Sequence, residues 1–166
     1  MAKMIRGGET CAIARTVDVL KDPWSFLILR EALSGVTRFA DFRAHLSIAT
    51  DVLTDRLNAL VDAGVLQRVQ YQEPGSRART SYRLTEAGAE LKVVIGALQQ
   101  WGDAHLPVSC GPTIERRDHR TGELVEVAFV NAKGRRVDLD DAEFVRTEAY
   151  PNLLALQPVW DSQVRR

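Results

Sequence analysis

The sequence predicts a mainly α-helical domain with one small β-hairpin, an α+β arrangement, followed by a short β-rich C-terminal appendage. Three observations carry this expectation. First, two segments around Ser47-Ile48-Ala49 repeat apolar residues at three- and four-residue spacing: Phe39, Phe42 and Leu46 before the break, Leu53, Leu57 and Leu60 after it. That spacing is the period of one helix face. Second, Val65–Tyr71 and Thr80–Leu84 alternate like strands on either side of a turn-rich stretch, 72–79. Third, Leu91, Val94, Ile95, Leu98 and Trp101 form an apolar stripe at helical spacing.

Taken in order, Met1–Glu9 is polar and contains glycine, and reads as a loose arm. Thr10 is placed to cap a helix running to Leu20, with Ala14, Val17 and Leu20 on one side. Lys21-Asp22-Pro23 restarts the chain, since aspartate is a good N-cap and proline a good first helical residue. Trp24, Leu27, Ile28 and Leu33 then face a core until Ser34-Gly35. Val36-Thr37-Arg38 is expected to be a short edge strand that joins the hairpin in a three-stranded sheet. Thr50 is expected to cap the second of the two short helices, and Gly64 to end it in a left-handed conformation. Thr85 caps a long helix from Glu86 to about His105.

That last helix is too long to be covered by a domain this small, and an uncovered apolar stripe marks a partner surface. Leu91, Val94, Ile95, Leu98 and Trp101, with Val17 of the first helix, are the candidate dimer contacts. The competing reading has the C-terminal segment covering the stripe within one chain. In that segment Thr113–Arg117, Leu124–Val130 and Arg135–Leu139 read as short strands, with turns at Arg120-Thr121-Gly122 and Asn131–Gly134. Tyr150–Leu156 and Trp160 make an apolar tail expected to dock on the body or on a partner.

Two short helices with a tight connection and a following hairpin have the organisation of a helix-turn-helix with a wing. The outward side of the second helix holds Asp51, Thr54, Asp55 and Asn58, with Arg56 at its margin. Short polar side chains there suit a helix that enters a major groove and reaches base edges. Arg77 and Arg79, with Arg83, form a basic hairpin that would lie along phosphates, and Arg38 and Arg43 would add to that grip. Thr50 would touch a phosphate while capping. Two groove-facing carboxylates are awkward, although Asp55 could accept from a cytosine amino group. The plainer reading is a helical hairpin with a solvated face.

Charge gives no bulk pull toward nucleic acid, because 22 basic residues meet 22 acidic ones. The seven arginines from Val36 to Leu84 (38, 43, 56, 68, 77, 79, 83) face five acids, so the local excess is small and sits on the wing. Binding would therefore rest on specific contacts more than on bulk attraction. At 166 residues and 45% hydrophobic content, one core domain plus an appendage is expected. No run of 18 apolar residues and no charged-then-apolar leader occurs, which points away from a membrane or secretion and toward the cytoplasm. No nucleophile has a partner motif, no phosphate-binding glycine loop is present, and the three histidines are scattered. The reading is thus a non-enzyme without cofactor. Cys110 and His119 alone cannot make a four-ligand metal site. Cys11 is the one reactive candidate, since the first turn of a helix favours thiolate.

The order Cys11, Asp22-Pro23-Trp24, Leu29-Arg30, Leu33-Ser34-Gly35, Arg38-Phe39-Ala40-Asp41-Phe42-Arg43, Leu53-Thr54-Asp55-Arg56-Leu57, Gly64-Val65-Leu66, Tyr82-Arg83-Leu84-Thr85-Glu86-Ala87-Gly88 and Trp101-Gly102 resembles the HxlR-type winged helix-turn-helix regulators. The resemblance runs from about Cys11 to His105. It implies a homodimeric transcriptional regulator, a repressor by expectation, on two-fold-related half-sites of double-stranded DNA. Some members respond to oxidants or electrophiles through a cysteine near the position of Cys11. Some relatives carry a zinc-ribbon-like appendage, but the comparable positions here, Thr121, Val130 and Lys133, are poor ligands. The expected organisation is an arm at 1–9, a winged helix-turn-helix DNA-binding and dimerisation domain at 10–106, and a metal-free appendage and tail at 107–166. A small apolar effector between the Trp24 helix and the long helix is compatible with this. The alternative function is a winged-helix protein-interaction module without sequence-specific DNA binding.

Overall fold

The computed structural model describes residues 11–75, 77–147 and Tyr150. The expected arm, the Thr10 cap and the apolar tail beyond Tyr150 lie outside the described residues. Two compact units result, one of them Asp22–Ala142, the other containing the described residues 11–21, 143–147 and Tyr150. In the second unit, helix α1 spans Ala12–Leu20 with Cys11 as its N-cap. Its Ile13 and Val17 are exposed.

The larger unit begins with α2 (Pro23–Leu33), whose N-cap Asp22 accepts from the Trp24 N–H at 2.8 Å. Pro23 is the first helical residue, where its missing N–H removes no bond. Helix α3 (Phe39–Leu46) and helix α4 (Thr50–Asp62) follow. The connection between them turns on Ser47, which adopts φ 50°, and on Ile48, which is buried and anchors it. Left-handed backbone at a serine is uncommon, and here it lets the chain reverse within three residues. Helix α4 ends with Gly64 at φ 71°, where Val65 N–H reaches Leu60 C=O at 2.9 Å. This is the paired C-terminal closure that a glycine permits.

Strands β1 (Leu66–Tyr71) and β2 (Arg79–Leu84) pair antiparallel from Leu66–Leu84 to Tyr71–Arg79. The sheet has two strands rather than the three expected. Val36-Thr37-Arg38 contributes one bridge, Arg38 to Ser81, and Tyr82 N–H donates to Thr37 C=O at 2.7 Å. With Gly35 at φ 95° on one side and α3 on the other, too few residues remain to extend it.

The core is built from Ile28 and Leu29 of α2, Phe42 of α3, Leu53, Leu57 and Leu60 of α4, and Leu66 of β1, all 1% exposed or less. Each such leucine contributes roughly 2 kcal/mol of burial. They hold α4 by one face and leave the other to solvent.

Thr85 caps the next helix, accepting from Gly88 N–H at 3.1 Å while donating to Gly64 C=O at 2.6 Å. The long helix expected from Glu86 to His105 is divided into α5 (Glu86–Glu90) and α6 (Lys92–His105). At the joint, Leu91 has ψ −8° and its N–H reaches Gly88 C=O at 3.3 Å, a tightened 3₁₀-type turn. Gly88 is packed against the start of the hairpin so closely that a Cβ there would lie 2.1 Å from Val65 C=O.

The appendage is thinner than expected. It consists of two-residue strands β3 (Phe129–Val130) and β4 (Arg136–Val137), an isolated bridge from Arg117 to Leu124, and a 3₁₀ turn at Leu139–Asp141. It is seated on α6. Gln100 brackets residue 127, accepting from Val127 N–H at 2.9 Å and donating to Val127 C=O at 3.0 Å, while Gln99 donates to Ile114 C=O at 2.7 Å. The Val127 side chain lies over Gly96, where a Cβ would meet it at 3.1 Å. No described helix is long and apolar enough to cross a membrane.

Candidate nucleic-acid interface

Helix α4 owes its position to its leucine face, and its opposite face carries the short polar residues picked out in the sequence. Asp51 and Asp55 are exposed, and Thr54 and Asn58 are half-buried at the edge of the exposed face. The N-cap is Ala49, not Thr50, and it makes no side-chain cap. Thr50 is the first helical residue, exposed, and its carbonyl accepts from Thr54 Oγ1 at 2.7 Å. With its hydrogen committed to the helix, the Thr54 hydroxyl offers only lone pairs and its methyl group outward. Asn58 Oδ1 accepts from Arg68 of β1 at 2.6 Å, so the hairpin braces this polar face directly.

Arg56 points elsewhere. Its Nε lies 2.8 Å from Oδ2 of Asp22, whose other carboxyl oxygen caps α2. Both side chains are at least two-thirds buried. Asp22 thereby ties the start of α2 to the middle of α4. Sequence reasoning found Asp22 as a cap but had no signal for its second oxygen.

The expected phosphate contacts divide into two groups. Arg77 and Arg79 are exposed on the hairpin, and no ion pair holds either among the described residues. Arg43 is exposed on α3, beside a shallow depression lined by Ala40, Ala44, Ser47 and Ile48. Arg38, in contrast, forms a 2.7 Å ion pair with Glu73 and lies 5.0 Å from the centre of the Tyr71 ring. Its charge is partly neutralised from within the wing.

Behind this surface, Glu31 of α2 meets His45 of α3, Nδ1 to Oε2 at 2.9 Å, and Arg30. Burial pushes the Glu31 carboxyl up, but the hydrogen bonds and charges of His45 and Arg30 outweigh it and hold the pKa below its usual value.

Away from α4, the candidate dimer residues are split. Val94, Leu98 and Trp101 are 39%, 53% and 58% exposed, whereas Leu91 and Ile95 are half-buried. The appendage seats on the neighbouring side of α6, at Gly96, Gln99 and Gln100, and leaves the Val94–Leu98–Trp101 stripe open. Cys11 is half-buried and Cys110 exposed, both as free thiols. Among the described residues no group of three or more His, Cys, Asp or Glu side chains is gathered as metal ligands.

The model of the HxlR-like helix-turn-helix family matches residues 19–109. The HTH-type transcriptional regulator Rv3095 of Mycobacterium tuberculosis is 42% identical over 119 residues, 72% of this chain and 74% of that protein. Among solved structures, PA1607 superposes with a TM-score of 0.70 at 31% identity, covering 82% of this chain and 95% of that one. The redox regulator HypR in its reduced form superposes with a TM-score of 0.52 at 27% identity, covering 58% of this chain and 94% of that one. The wider coverage by PA1607 exceeds what the residues up to 109 can supply, so that likeness includes part of the appendage.

Proposed function

We propose, from the premise that this chain belongs to the HxlR-like helix-turn-helix family of transcriptional regulators, that it works as a homodimeric repressor placing two copies of α4 in neighbouring major-groove segments of a pseudo-palindromic duplex. The observation that carries this reading is the two-sided build of α4. Leu53, Leu57 and Leu60 are fully buried while Asp51, Thr54, Asp55 and Asn58 occupy the other side. In this reading Thr54, Asp55 and Asn58 face base edges, and Arg43, Arg77, Arg79 and Thr50 lie on phosphates. Arg38 joins them when a phosphate displaces Glu73. Arg56 acts from behind, through Asp22.

The dimer is assigned to the open stripe Val94, Leu98 and Trp101, flanked by Leu91 and Ile95. Val17 of α1 is a further apolar position offered to the partner. An isologous pairing of such stripes buries apolar area that one copy leaves in water. Trp101→Asp is expected to convert a dimer to a monomer in sedimentation and to weaken operator binding. Cys11 is assigned as the oxidant-responsive thiol, supported by its place at the start of α1 and by the likeness to HypR, a redox regulator. A change of DNA affinity on oxidation that persists in Cys11→Ser would remove it from that role.

Fluorescence anisotropy with random duplex and with the duplex upstream of the protein's own gene tests the whole reading. Tight, salt-sensitive binding with preference for the upstream duplex is expected. A second reading, a protein-interaction module on a winged-helix frame, is favoured by one feature: Asp51 and Asp55 on the face that would meet the duplex. Absence of binding even at low salt, where attraction is least screened, would select it.

A further inference from the structure

We propose that Arg68, outside the helix-turn-helix, is the positioning residue that sets what Asn58 can read. This rests on the reading of α4 as the recognition helix and deepens it. The Arg68 guanidinium donates to Asn58 Oδ1 at 2.6 Å, from strand β1 across to helix α4. A guanidinium only donates, so the amide atom that faces it has to be the oxygen, and the orientation of the Asn58 amide follows. Asn58 Nδ2 has no acceptor among the described residues.

This matters for base recognition. An unrestrained asparagine pairs with adenine by using both ends of its amide, Oδ1 accepting from N6 and Nδ2 donating to N7. At Asn58 the oxygen is already bound by a charged donor, at a short distance that marks a strong bond. The amide plane is also fixed by the direction of Arg68. The oxygen keeps a second lone pair, but the cation beside it repels a further donor such as adenine N6–H, so the group offered freely to the groove is the Nδ2 donor. The edges that answer it without bringing a donor of their own are guanine, through N7 and O6, and thymine, through O4. Thr54 adds no donor, since its hydrogen is held by Thr50 C=O. Asp55, one residue on from Thr54, accepts only. The face thus presents a fixed order: acceptors at Thr54 and Asp55, then a donor one turn later at Asn58. Arg68 keeps that order by preventing the amide from turning over.

The test uses the full-length protein and a library of random duplexes with fixed ends. Motifs are selected separately with wild type, Arg68→Met, Asn58→Ala and the double variant. Wild type is expected to prefer guanine or thymine over adenine at one position of each half-site, by about tenfold. Arg68→Met, which keeps the apolar stem, is expected to lose that preference or admit adenine at that position alone. In the Asn58→Ala background the same change should add nothing. The salt slope of binding should stay the same, because no phosphate contact is lost. In the free protein, the Asn58 side-chain amide resonances should move toward those of a free amide in Arg68→Met.

An equal loss on all duplexes with the salt slope reduced by about one would make Arg68 a phosphate contact and overturn the inference while leaving the recognition helix intact. A wild-type preference for adenine at the Asn58 position would overturn it as well. Failure of the wild type to select any motif would overturn the underlying reading of α4, and the inference with it.

Discussion

Residues 39–66 and residues 113–139 are stretches of similar length in the same chain, and they are held by different forces. The first carries Phe42, Leu53, Leu57, Leu60 and Leu66 essentially out of contact with water. The second leaves Leu124, Phe129, Val130 and Leu139 from 45% to 79% exposed. Its attachment to α6 is mainly polar, through the Gln99 and Gln100 side chains bonded to backbone at Ile114 and Val127 and an ion pair of Arg116 with Asp103, with the Val127 side chain laid over Gly96. A region packed by leucines fixes a rigid polar face on α4, the face proposed to read a duplex. A region fastened by a few side-chain contacts adds surface without stiffening α4.

This difference has measurable consequences. The largest should come from the packed region: Leu57→Ala is expected to cost about 3 kcal/mol in denaturant unfolding, from lost transfer energy and the cavity left behind. Gly88→Ala should approach that figure, since its Cβ would lie within 2.1 Å of Val65 C=O. A backbone oxygen cannot rotate away, and overpacking of this kind costs about 1–3 kcal/mol. A loss below 1 kcal/mol in either variant would mean that the packed region yields more easily than its burial implies.

In the appendage the expected effects are smaller and local. Gln100→Ala leaves both polar groups of residue 127 without their partner and should cost about 1–2 kcal/mol. Amide exchange at residues 113–139 should quicken while α4 keeps its protection. Phe129→Ala, at a side chain already 45% exposed, should change stability by less than about 1 kcal/mol. Global unfolding by Gln100→Ala would show that the two regions form one cooperative whole.

The smallest effect is one of pH. The folded pKa of Glu31 is depressed, so its contribution is full above the ordinary carboxylate value of 4.5 and fades as pH falls through the lower, folded value. Glu31→Gln should flatten the acid limb of the stability curve there. An unchanged limb would assign acid sensitivity to other carboxylates.

The same contrast explains what was legible in the sequence. Helices α2, α3 and α4 and the hairpin could be read because burial leaves a period, and Asp22-Pro23 and Gly64 are local signals at their ends. The misplaced cap at Thr50 reflects a tie that local chemistry cannot break: the turn is set by Ser47 in a left-handed conformation and by the buried Ile48. The division of the long helix at Leu91 comes from tertiary contact, the pinning of Thr85 and Gly88 against Gly64 and Val65, with no proline at the joint to announce it. At the candidate site, the polar face of α4 was visible as a pattern. The partners that direct it were not, because Arg56 to Asp22 and Arg68 to Asn58 join residues from different elements. In the appendage the strands were over-read, since alternation there is not backed by a buried face.

The central claim, that α4 and the wing form the reading surface while the appendage stands apart, is tested most directly by hydrogen exchange of the full-length protein with and without a bound duplex. Protection should rise at residues 50–58 and 77–83 and stay unchanged at 113–139. Protection gained in the appendage, with none on α4, would contradict the account.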